Sequence, residues 1–296
     1  MSASDYSSPS LVAKFFSPQP TKLKEPLAAT GKAGRNLPAA VSTAVVLILF
    51  VGICLFYVPP LLTLFIVLAS LAGLYELGGA FAHLETKLTM APLYAGAIGM
   101  VTCAWSLGAE ALLFALYTTI FAVVAWRILD PNPKGRINDV IASVFAALYV
   151  PFLASFVVLM MRQFGNPWVV LTYVGLVVAS DTGGWVAGVL YGKHPMAPRL
   201  SPKKSWEGFI GSTIGSVALG GLAFWALGSH WAFGFLAGVV ACVVGTLGDL
   251  TESLIKRETG LKDMSQILPG HGGVLDRVDA LLMVAPLMFM IFTWTL

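Results

Sequence analysis

Cysteine is scarce in this sequence, and its few occurrences are far apart. Cys54, Cys103 and Cys242 each lie alone in an apolar stretch of the 296-residue chain. Isolated cysteines form neither a disulfide framework nor a zinc cluster, so we expect all three to pack among apolar side chains. The sequence also lacks a Walker-type phosphate loop and a Gly-x-Ser-x-Gly motif. Neither a P-loop nucleoside triphosphatase nor a serine hydrolase of the α/β-hydrolase type is therefore indicated.

Charged residues are also few. They make up 11% of the chain, whereas hydrophobic residues make up 57% and the mean hydropathy is +0.82. This composition excludes an ordinary soluble domain, and a helix needs about 20 apolar residues to cross ~30 Å of hydrocarbon. The apolar stretches lack the alternation of barrel strands, so we predict an all-α polytopic integral membrane protein with about nine transmembrane helices. The predicted spans cover residues 38–58, 60–82, 91–107, 109–128, 139–161, 167–191, 208–228, 231–255 and 277–295.

The basic residues predict how these helices are oriented. With a cytoplasmic N-terminus, the nine spans place every Lys and Arg of the chain except Arg162 on the cytoplasmic side, as the positive-inside rule requires. The net charge of +3 is then a consequence of topology, and no nucleic-acid partner is expected. We expect a bacterial inner membrane as the location, with the C-terminus outside.

Four regions follow from these spans. Residues 1–37 are rich in Ser, Pro, Ala and Lys and lack a long apolar run, which predicts a disordered cytoplasmic tail rather than a signal peptide. We assign residues 38–128 to N-terminal transmembrane helices, 129–165 to a central transmembrane region and 166–296 to a C-terminal catalytic transmembrane region.

The N-terminal half contains few acidic residues. Glu76 lies near the end of the second predicted span and Glu110 at the start of the fourth, and we expect both to be interfacial or helix-terminal. The Pro/Gly/Asn-rich segment 130–139 is predicted to be a connector.

Asp181 is different, because it lies well inside the sixth predicted span. It precedes Lys193 by 12 residues, which places its carboxylate up to roughly 18 Å below the membrane surface. An ionised carboxylate at that depth needs a partner, a cation or a water-filled cavity. Gly184, Gly188 and Gly192 recur every four residues nearby, a pattern that allows another helix to approach or serves packing alone.

The loop after this span is a candidate phosphate-binding segment. It reads Arg-Leu-Ser-Pro-Lys-Lys-Ser-Trp-Glu-Gly over residues 199–208. Ser205 is placed to cap the next helix, with Glu207 in its first turn. The pair Lys203–Lys204 is either a cytoplasmic anchor or a contact for polyphosphate.

Ionisable residues are most concentrated between Asp249 and Asp279. Asp249, Ser253 and Lys256 follow one another at helical spacing, so they share one helix face, with Glu252 nearby. Carboxylates from different helices suit Mg²⁺, and Lys and Arg neutralise polyphosphate, so the set favours phosphoryl or nucleotidyl transfer. For His271 three roles remain open: orienting a phosphate, transferring a proton or shaping the loop. The rest of this segment contributes Arg257, Lys262, Gly272, Gly273, Asp276 and Arg277.

The pattern from Ser253 to Asp279 resembles the signature of the phosphatidate cytidylyltransferases, also called CDP-diacylglycerol synthases. It reads Ser-x-Ile-Lys-Arg-x4-Lys-Asp-x-Ser-x2-Leu-Pro-x-His-Gly-Gly-Val-x-Asp-Arg-Val-Asp. Residues 180–183 and 201–208 also look like motifs of that family. Trp185 is a departure, since the family usually has Tyr there, and a role for a phenol hydroxyl at this position is therefore in doubt.

The resemblance implies that CTP and phosphatidic acid react to give CDP-diacylglycerol and pyrophosphate, with Mg²⁺ as cofactor and a second metal ion as a further expectation. It also implies a homodimer, embedded in membrane lipid, with a polar funnel open to the cytosol. The implied catalytic residues are Asp249, Ser253, Lys256 and Asp276; the implied metal-site residues are Asp249, Asp276, Asp181 and Asp279. Substrate-binding roles are implied for Ser201, Lys203, Lys204, Glu207, Arg257, Lys262, His271, Gly272, Gly273 and Arg277.

Two alternative functions remain at this stage. One is cytidylyl transfer to another lipid phosphate, such as a polyprenyl phosphate. The other is a secondary transporter, because intramembrane acids and glycine-broken helices also mark ion pathways. The clustering of ionisable residues at one predicted membrane face favours the enzyme.

Overall fold

The computed structural model of the chain describes residues 15–20, 37–131, 136–268 and 272–296. Helices dominate these residues, as predicted. One short antiparallel hairpin, formed by β1 (Pro195–Ala197) and β2 (Ser201–Ser205), was not predicted. The helices are α1 Leu37–Tyr57, α2 Pro59–Phe81, α3 Met90–Ser106, α4 Ala109–Leu129, α5 Arg136–Ala147, α6 Leu153–Phe164, α7 Pro167–Tyr191, α8 Trp206–Ala226, α9 Trp231–Glu258 and α10 Leu275–Thr295.

Local sequence signals set several helix ends. Helix α7 begins at Pro167, and the preceding Asn166 side chain accepts a hydrogen bond from the Trp168 amide. Such a cap satisfies one of the amides that have no partner within the helix. Ser205 caps α8 in the same way through the Gly208 amide, as predicted. Helix α6 ends at Phe164 and is followed by Gly165, whose φ of 58° lies in the left-handed region favoured by glycine.

Seven helical segments in the described residues are long and apolar enough to cross a membrane. They confirm an all-α polytopic membrane protein. The count of nine is not supported, although α1 and α3 occupy the other two predicted positions. Helix α3 has 17 residues, about 25 Å of helix, which is short for a bilayer core of ~30 Å. The seven segments are Pro59–Leu84, Ala109–Leu129, Ile137–Phe164, Pro167–Tyr191, Trp206–Ala226, Trp231–Glu258 and Leu275–Thr295.

Charged residues of α4, α5 and the loop before α3 meet at one end of the bundle. The Lys87 amide donates to Asp139 over 2.8 Å, and Arg127 lies 2.5 Å from the same carboxylate. Arg162 contacts the carbonyl of Ser106 instead, in the loop at the other end of α3 and α4. Arg162 therefore lies at the opposite end of the bundle from Lys87 and Arg127.

Glycine contacts join the C-terminal helices α7, α8 and α9. A Cβ added to Gly183 would lie 2.4 Å from the carbonyl oxygen of Gly211, and one added to Gly234 would lie 2.1 Å from that of Gly220. The backbones therefore approach so closely that no larger residue fits without displacement. Gly184, predicted to allow such an approach, also faces α8: a Cβ there would lie 2.3 Å from the Ser212 hydroxyl oxygen and 3.4 Å from the Gly208 carbonyl oxygen.

Part of the tail predicted to be disordered, Phe15–Pro20, is among the described residues and contacts the bundle. The Phe15 ring stacks on Tyr94 with 4.3 Å between ring centroids, and the Tyr94 hydroxyl donates to the Phe15 carbonyl. Beside this segment lies a cavity of about 890 Å³. The residues that line it include none of the predicted site residues.

Candidate active site

A cavity of about 360 Å³ lies between α7, α8, α9 and the β1–β2 hairpin. Its polar lining comes from three regions that the sequence analysis had singled out separately: the sixth predicted span, the 201–208 loop and the start of the Asp249–Asp279 segment. The fold therefore brings these regions to one place. The predicted site residues on its wall are Asp181, Ser201, Lys203, Lys204 and Asp249.

Lys204 and Asp249 form an ion pair in this cavity. The Lys204 Nζ lies 2.6 Å from Asp249 Oδ2, and the two side chains are 23% and 40% exposed. The hairpin holds Lys204 opposite α9, so a residue predicted to bind phosphate contacts one predicted to bind metal. Both charges remain accessible from the cavity.

A second cluster lies one to two turns further along α9. Lys256 Nζ lies 2.5 Å from Glu252 Oε2 and 2.9 Å from Asp276 Oδ1. The first contact is the i, i+4 pairing of one helix face, and the second joins α9 to the start of α10. One ammonium group thus holds two largely buried carboxylates together.

The other oxygen of Asp276 binds backbone amides. Asp276 Oδ2 accepts hydrogen bonds from the Gly273 amide over 2.8 Å and the Met264 amide over 2.9 Å. A carboxylate in the first turn of a helix is also favoured by the helix dipole. Both Asp276 oxygens are therefore engaged by the protein itself.

Gly272 and Gly273 allow this close packing around Asp276. Gly272 has a φ of +88°, a left-handed conformation that other residues rarely adopt. A Cβ added to Gly273 would lie 2.8 Å from Oε1 of Glu76 and 3.0 Å from Oδ2 of Asp276. The glycine pair thus has a steric role beside two carboxylates.

Glu76 is the largest departure from the sequence expectations. It is not at a solvated helix end, since it is 1% exposed inside the helix bundle. Its carboxylate accepts hydrogen bonds from Ser265 Oγ and from the amides of Val274 and Leu275. Glu76, from the N-terminal half of the chain, therefore contacts the segment from Ser253 to Asp279 that resembles the family signature.

The remaining acids lie near one another without forming a compact metal cage. Asp181, Asp249 and Asp279 are within electrostatic range of each other. Among the described residues, however, no group of three or more His, Cys, Asp and Glu side chains is arranged to hold a metal ion. Near these acids, the buried Glu252 Oε1 and the buried Tyr149 hydroxyl have no hydrogen-bond partner among the described residues.

Two predicted substrate-binding residues, Glu207 and Arg257, make hydrogen bonds to neighbouring parts of the protein. Glu207 accepts hydrogen bonds from the amides of Lys193 and His194, and lies 2.6 Å from the His194 ring. It therefore ties the chain before the hairpin to the first turn of α8. Arg257 donates to the carbonyl of Leu200 and so braces the hairpin from α9.

The other predicted residues are not brought into the cavity lining. Lys262 and Arg277 are exposed, and Ser253 is half-buried on α9. His271 lies outside the described residues. The structure thus brings some of the predicted site residues together in two clusters, while the functional role of every one of them stays a prediction.

Three residues of the site were missed or undervalued: Glu76, Glu252 and Tyr149. Tyr149 lies within electrostatic range of Asp249, Glu252 and Asp279, yet nothing in its local sequence indicates this. The spacing of Glu252 and Lys256 was a usable signal, because residues four apart meet on a helix. For Glu76 the only signal was an acid inside an apolar span, which marks a functional candidate in membrane proteins.

The arrangement suits a substrate with several negative charges. The cavity presents Lys203 and Lys204 beside the carboxylates of Asp181 and Asp249. Lysine ammonium groups neutralise phosphate charge, whereas carboxylates supply hard oxygen ligands for a cation that accompanies a polyphosphate. A cavity with both charge types fits a nucleotide–metal complex better than either charge type alone would.

Comparisons with known proteins agree with this chemistry. A sequence model that describes the cytidylyltransferase family matches residues 38–295 of this chain. A phosphatidate cytidylyltransferase of Mycobacterium bovis is 35% identical over 284 residues, covering 91% of this chain and 92% of the relative. Relatives with the same description occur in Mycobacterium leprae, 33% identical over 90% of this chain and 89% of the relative, and in Haemophilus influenzae, 40% identical over 50% of this chain and 56% of the relative. This chain therefore belongs to the cytidylyltransferase family.

Proposed function

We propose that this chain transfers the cytidylyl group of CTP to phosphatidate, forming CDP-diacylglycerol and pyrophosphate. The observation that carries the proposal is the Lys204–Asp249 pair in a cavity shared by three motifs. The relatives described as phosphatidate cytidylyltransferases, similar over about nine-tenths of this chain, support the same reaction. An integral membrane enzyme suits it, because the acyl chains of the lipid substrate stay in the bilayer.

In the proposed reaction, an oxygen of the lipid phosphate attacks the α-phosphorus of CTP. The new phosphorus–oxygen bond forms as the bond from the α-phosphorus to the oxygen bridging to the β-phosphate breaks. Pyrophosphate leaves with the electrons of that bond. Phosphoryl-type transfers depend on positioning and on neutralising charge, and Lys203 and Lys204 are placed in the cavity to do both for the triphosphate.

The carboxylates fit the Mg²⁺ expected as cofactor by the chemistry of their donors. Asp249, Asp279 and Asp181 offer the hard oxygen ligands that Mg²⁺ takes together with substrate phosphates, and Glu252 has an oxygen without a hydrogen-bond partner among the described residues. When bound, the ion would offset charge on the phosphates and polarise their oxygens. Asp276 fits direct coordination less well, since Lys256 and two backbone amides engage its oxygens; its proposed role is to hold Lys256 and the loop before α10.

The membrane arrangement is also part of the proposal. A cytoplasmic N-terminus, nine spans including α1 and α3, and a bacterial inner membrane would turn the cavity end of the bundle toward cytosolic CTP. Cytoplasmic placement follows the positive-inside rule. The cavity would then be a polar funnel in which the soluble nucleotide meets a lipid headgroup.

A homodimer is proposed on the strength of the family resemblance. The glycines between residues 211 and 221 are used inside the chain, because Gly211, Gly215 and Gly220 each face backbone of α7 or α9 at less than 3 Å from an added Cβ. The dimer contact would therefore use another surface of the membrane helices.

A direct assay with alternative lipids tests the proposed function. Purified protein in detergent micelles would be given Mg²⁺, labelled CTP and either phosphatidate, a polyprenyl phosphate or an ether-linked lipid phosphate. We expect label in the lipid product chiefly with phosphatidate. Efficient use of another lipid phosphate would assign a different substrate, and no labelled lipid in any arm would overturn cytidylyl transfer.

A further inference from the structure

Glu76 connects the two halves of the chain beside the proposed active site. It lies on α2, and one of its bonds reaches Leu275, which is 199 residues later in the chain. With an exposed fraction of 1%, its carboxylate is removed from water. A buried acid needs compensating hydrogen bonds, so its partners reveal what it stabilises.

Among the described residues, the hydrogen-bond donors to Glu76 lie at the start of α10 and in the segment that precedes it. Oε1 accepts from Ser265 Oγ over 2.5 Å and from the Val274 amide over 2.8 Å. Oε2 accepts from the Leu275 amide over 2.9 Å. The first amides of a helix have no partner within it, and Val274, which precedes α10, makes no side-chain cap of its own. Glu76 therefore supplies the N-terminal cap of α10 from a different helix.

This cap fixes the part of α10 that bears the proposed site residues. Asp276 lies in the first turn and Asp279 follows on the same face. Gly273 separates the carboxylates of Glu76 and Asp276, with space for no side chain between them. If the hydrogen bonds to Glu76 shifted, the Asp276 carboxylate and the loop before α10 would move with them. The contact between Asp276 and Lys256 would then change.

We infer that Glu76 is a positioning residue for cytidylyl transfer: its buried carboxylate holds the first turn of α10 in the register that the site requires. It does so through Asp276 and does not touch the substrate. This inference rests on the proposed function. It assigns a role to a residue outside the segment that carries the family resemblance.

The chemistry of the site requires a carboxylate and not merely a polar group of the same size. Each partner of Glu76 is a donor: one hydroxyl and two amides. Gln has the same shape but replaces one acceptor oxygen by an NH₂ group, which is itself a donor. In Glu76→Gln, either the Leu275 amide or the Val274–Ser265 pair would face that NH₂ group and lose its acceptor.

The test compares Glu76→Gln with Glu110→Gln, an exposed acid at the start of α4. Two measurements are made on each purified variant: steady-state kinetics with CTP and phosphatidate, and hydrogen exchange of peptides covering residues 272–280. We expect Glu76→Gln to lower kcat by about tenfold or more while KM for CTP changes little, because the cavity lysines are untouched. Exchange at 272–280 should accelerate by a similar factor, as expected for lost charge-assisted hydrogen bonds. Glu110→Gln should match the wild type in both measurements.

Ser265→Ala gives a milder variant should Glu76→Gln fail to fold. It removes one of the bonds to Glu76 and leaves both amide bonds in place, so we expect a smaller fall in kcat and a smaller gain in exchange at 272–280. If the Glu76 and Ser265 variants retain wild-type kcat per folded molecule, or if exchange at 272–280 stays unchanged, the positioning role is wrong. Wild-type protein that makes no CDP-lipid would overturn the proposed function instead, and the exchange comparison would still decide whether Glu76 caps α10.

Discussion

The ammonium group of Lys204 lies 2.6 Å from the Asp249 carboxylate, and so joins the β1–β2 hairpin to helix α9. Both side chains line the proposed nucleotide cavity. A pair this accessible contributes little to stability, about 0–1 kcal/mol. In the proposed reaction its importance is chemical, because Lys204 would exchange Asp249 for a phosphate and Asp249 would exchange Lys204 for a cation.

Removing the charge of the hairpin should weaken the use of CTP. In the double variant Lys203→Ala with Lys204→Ala, two ammonium groups leave the cavity wall. Charge-assisted contacts are worth about 1.5–3 kcal/mol each, so we expect KM for CTP to rise by about tenfold or more. Lys87→Ala, at an exposed position outside this cavity, is the matched control and should leave KM unchanged. If the wild type, the double variant and Lys87→Ala have identical kinetics, the hairpin lysines do not bind CTP and serve only as a topological anchor.

Neutralising Asp276 should lower kcat by about 10² or more while the protein stays folded. In Asp276→Asn, Lys256 loses one of its two carboxylate partners, and the amides of Gly273 and Met264 face a weaker acceptor. Loss of one preorganised electrostatic contact typically costs about 10²–10³ in kcat, and we expect at least the lower value. The kcat is measured with Mg²⁺, CTP and phosphatidate, beside elution volume in size-exclusion chromatography.

The control for Asp276 is Glu258→Gln, at the exposed end of α9. It also replaces an acid by its amide but lies outside both clusters, and we expect turnover close to wild type. Near-wild-type turnover by Asp276→Asn would contradict the role given to this carboxylate.

A methyl group at Gly273 should also impair the site. The Cβ in Gly273→Ala would lie about 3 Å from both the Glu76 and the Asp276 carboxylates, closer than carbon and oxygen atoms normally approach. Because both carboxylates are fixed by several bonds, the loop before α10 must move, and overpacking of this kind costs about 1–3 kcal/mol. We expect kcat to fall by about tenfold in the same assay. Gly99→Ala has open space around the added methyl group and should show no loss.

The contact between α8 and α9 gives a prediction about stability. Gly220 and Gly234 face each other so closely that a Cβ on Gly234 would lie 2.1 Å from a carbonyl oxygen. In Gly234→Ala the two backbones must separate, so we expect a clearly lower midpoint of thermal unfolding in detergent. Gly99→Ala serves again as the control, since alanine is the better helix former at an uncrowded position. An unchanged midpoint for Gly234→Ala would mean that the helices are not packed as closely as described.

The helices and half of the site were predictable because their signals are local. Apolar length located each helical segment, and helical spacing placed Asp249 and Lys256 on one face of α9. The motif around Lys204 was predicted to contact phosphate, and the structure places it against Asp249.

The rest depends on contacts between distant parts of the chain. The hydrogen bonds of Glu76 reach residues that lie between 189 and 199 positions later in the chain. No local sequence pattern predicts such contacts. Arg257 was predicted to bind phosphate, and its hydrogen bond to the Leu200 carbonyl depends on where the hairpin lies relative to α9. Spacing along one helix cannot give that geometry.

Transfer of the α-phosphate of CTP to lipid tests the central claim most directly. Purified protein would be incubated with Mg²⁺, phosphatidate and CTP labelled at either the α- or the γ-phosphate, and the lipid and aqueous phases would be counted separately. The account predicts that α-label enters the lipid phase in step with pyrophosphate release, while γ-label stays in the aqueous phase, as pyrophosphate and unreacted CTP. The absence of α-label from the lipid, or the appearance of γ-label there, would contradict it.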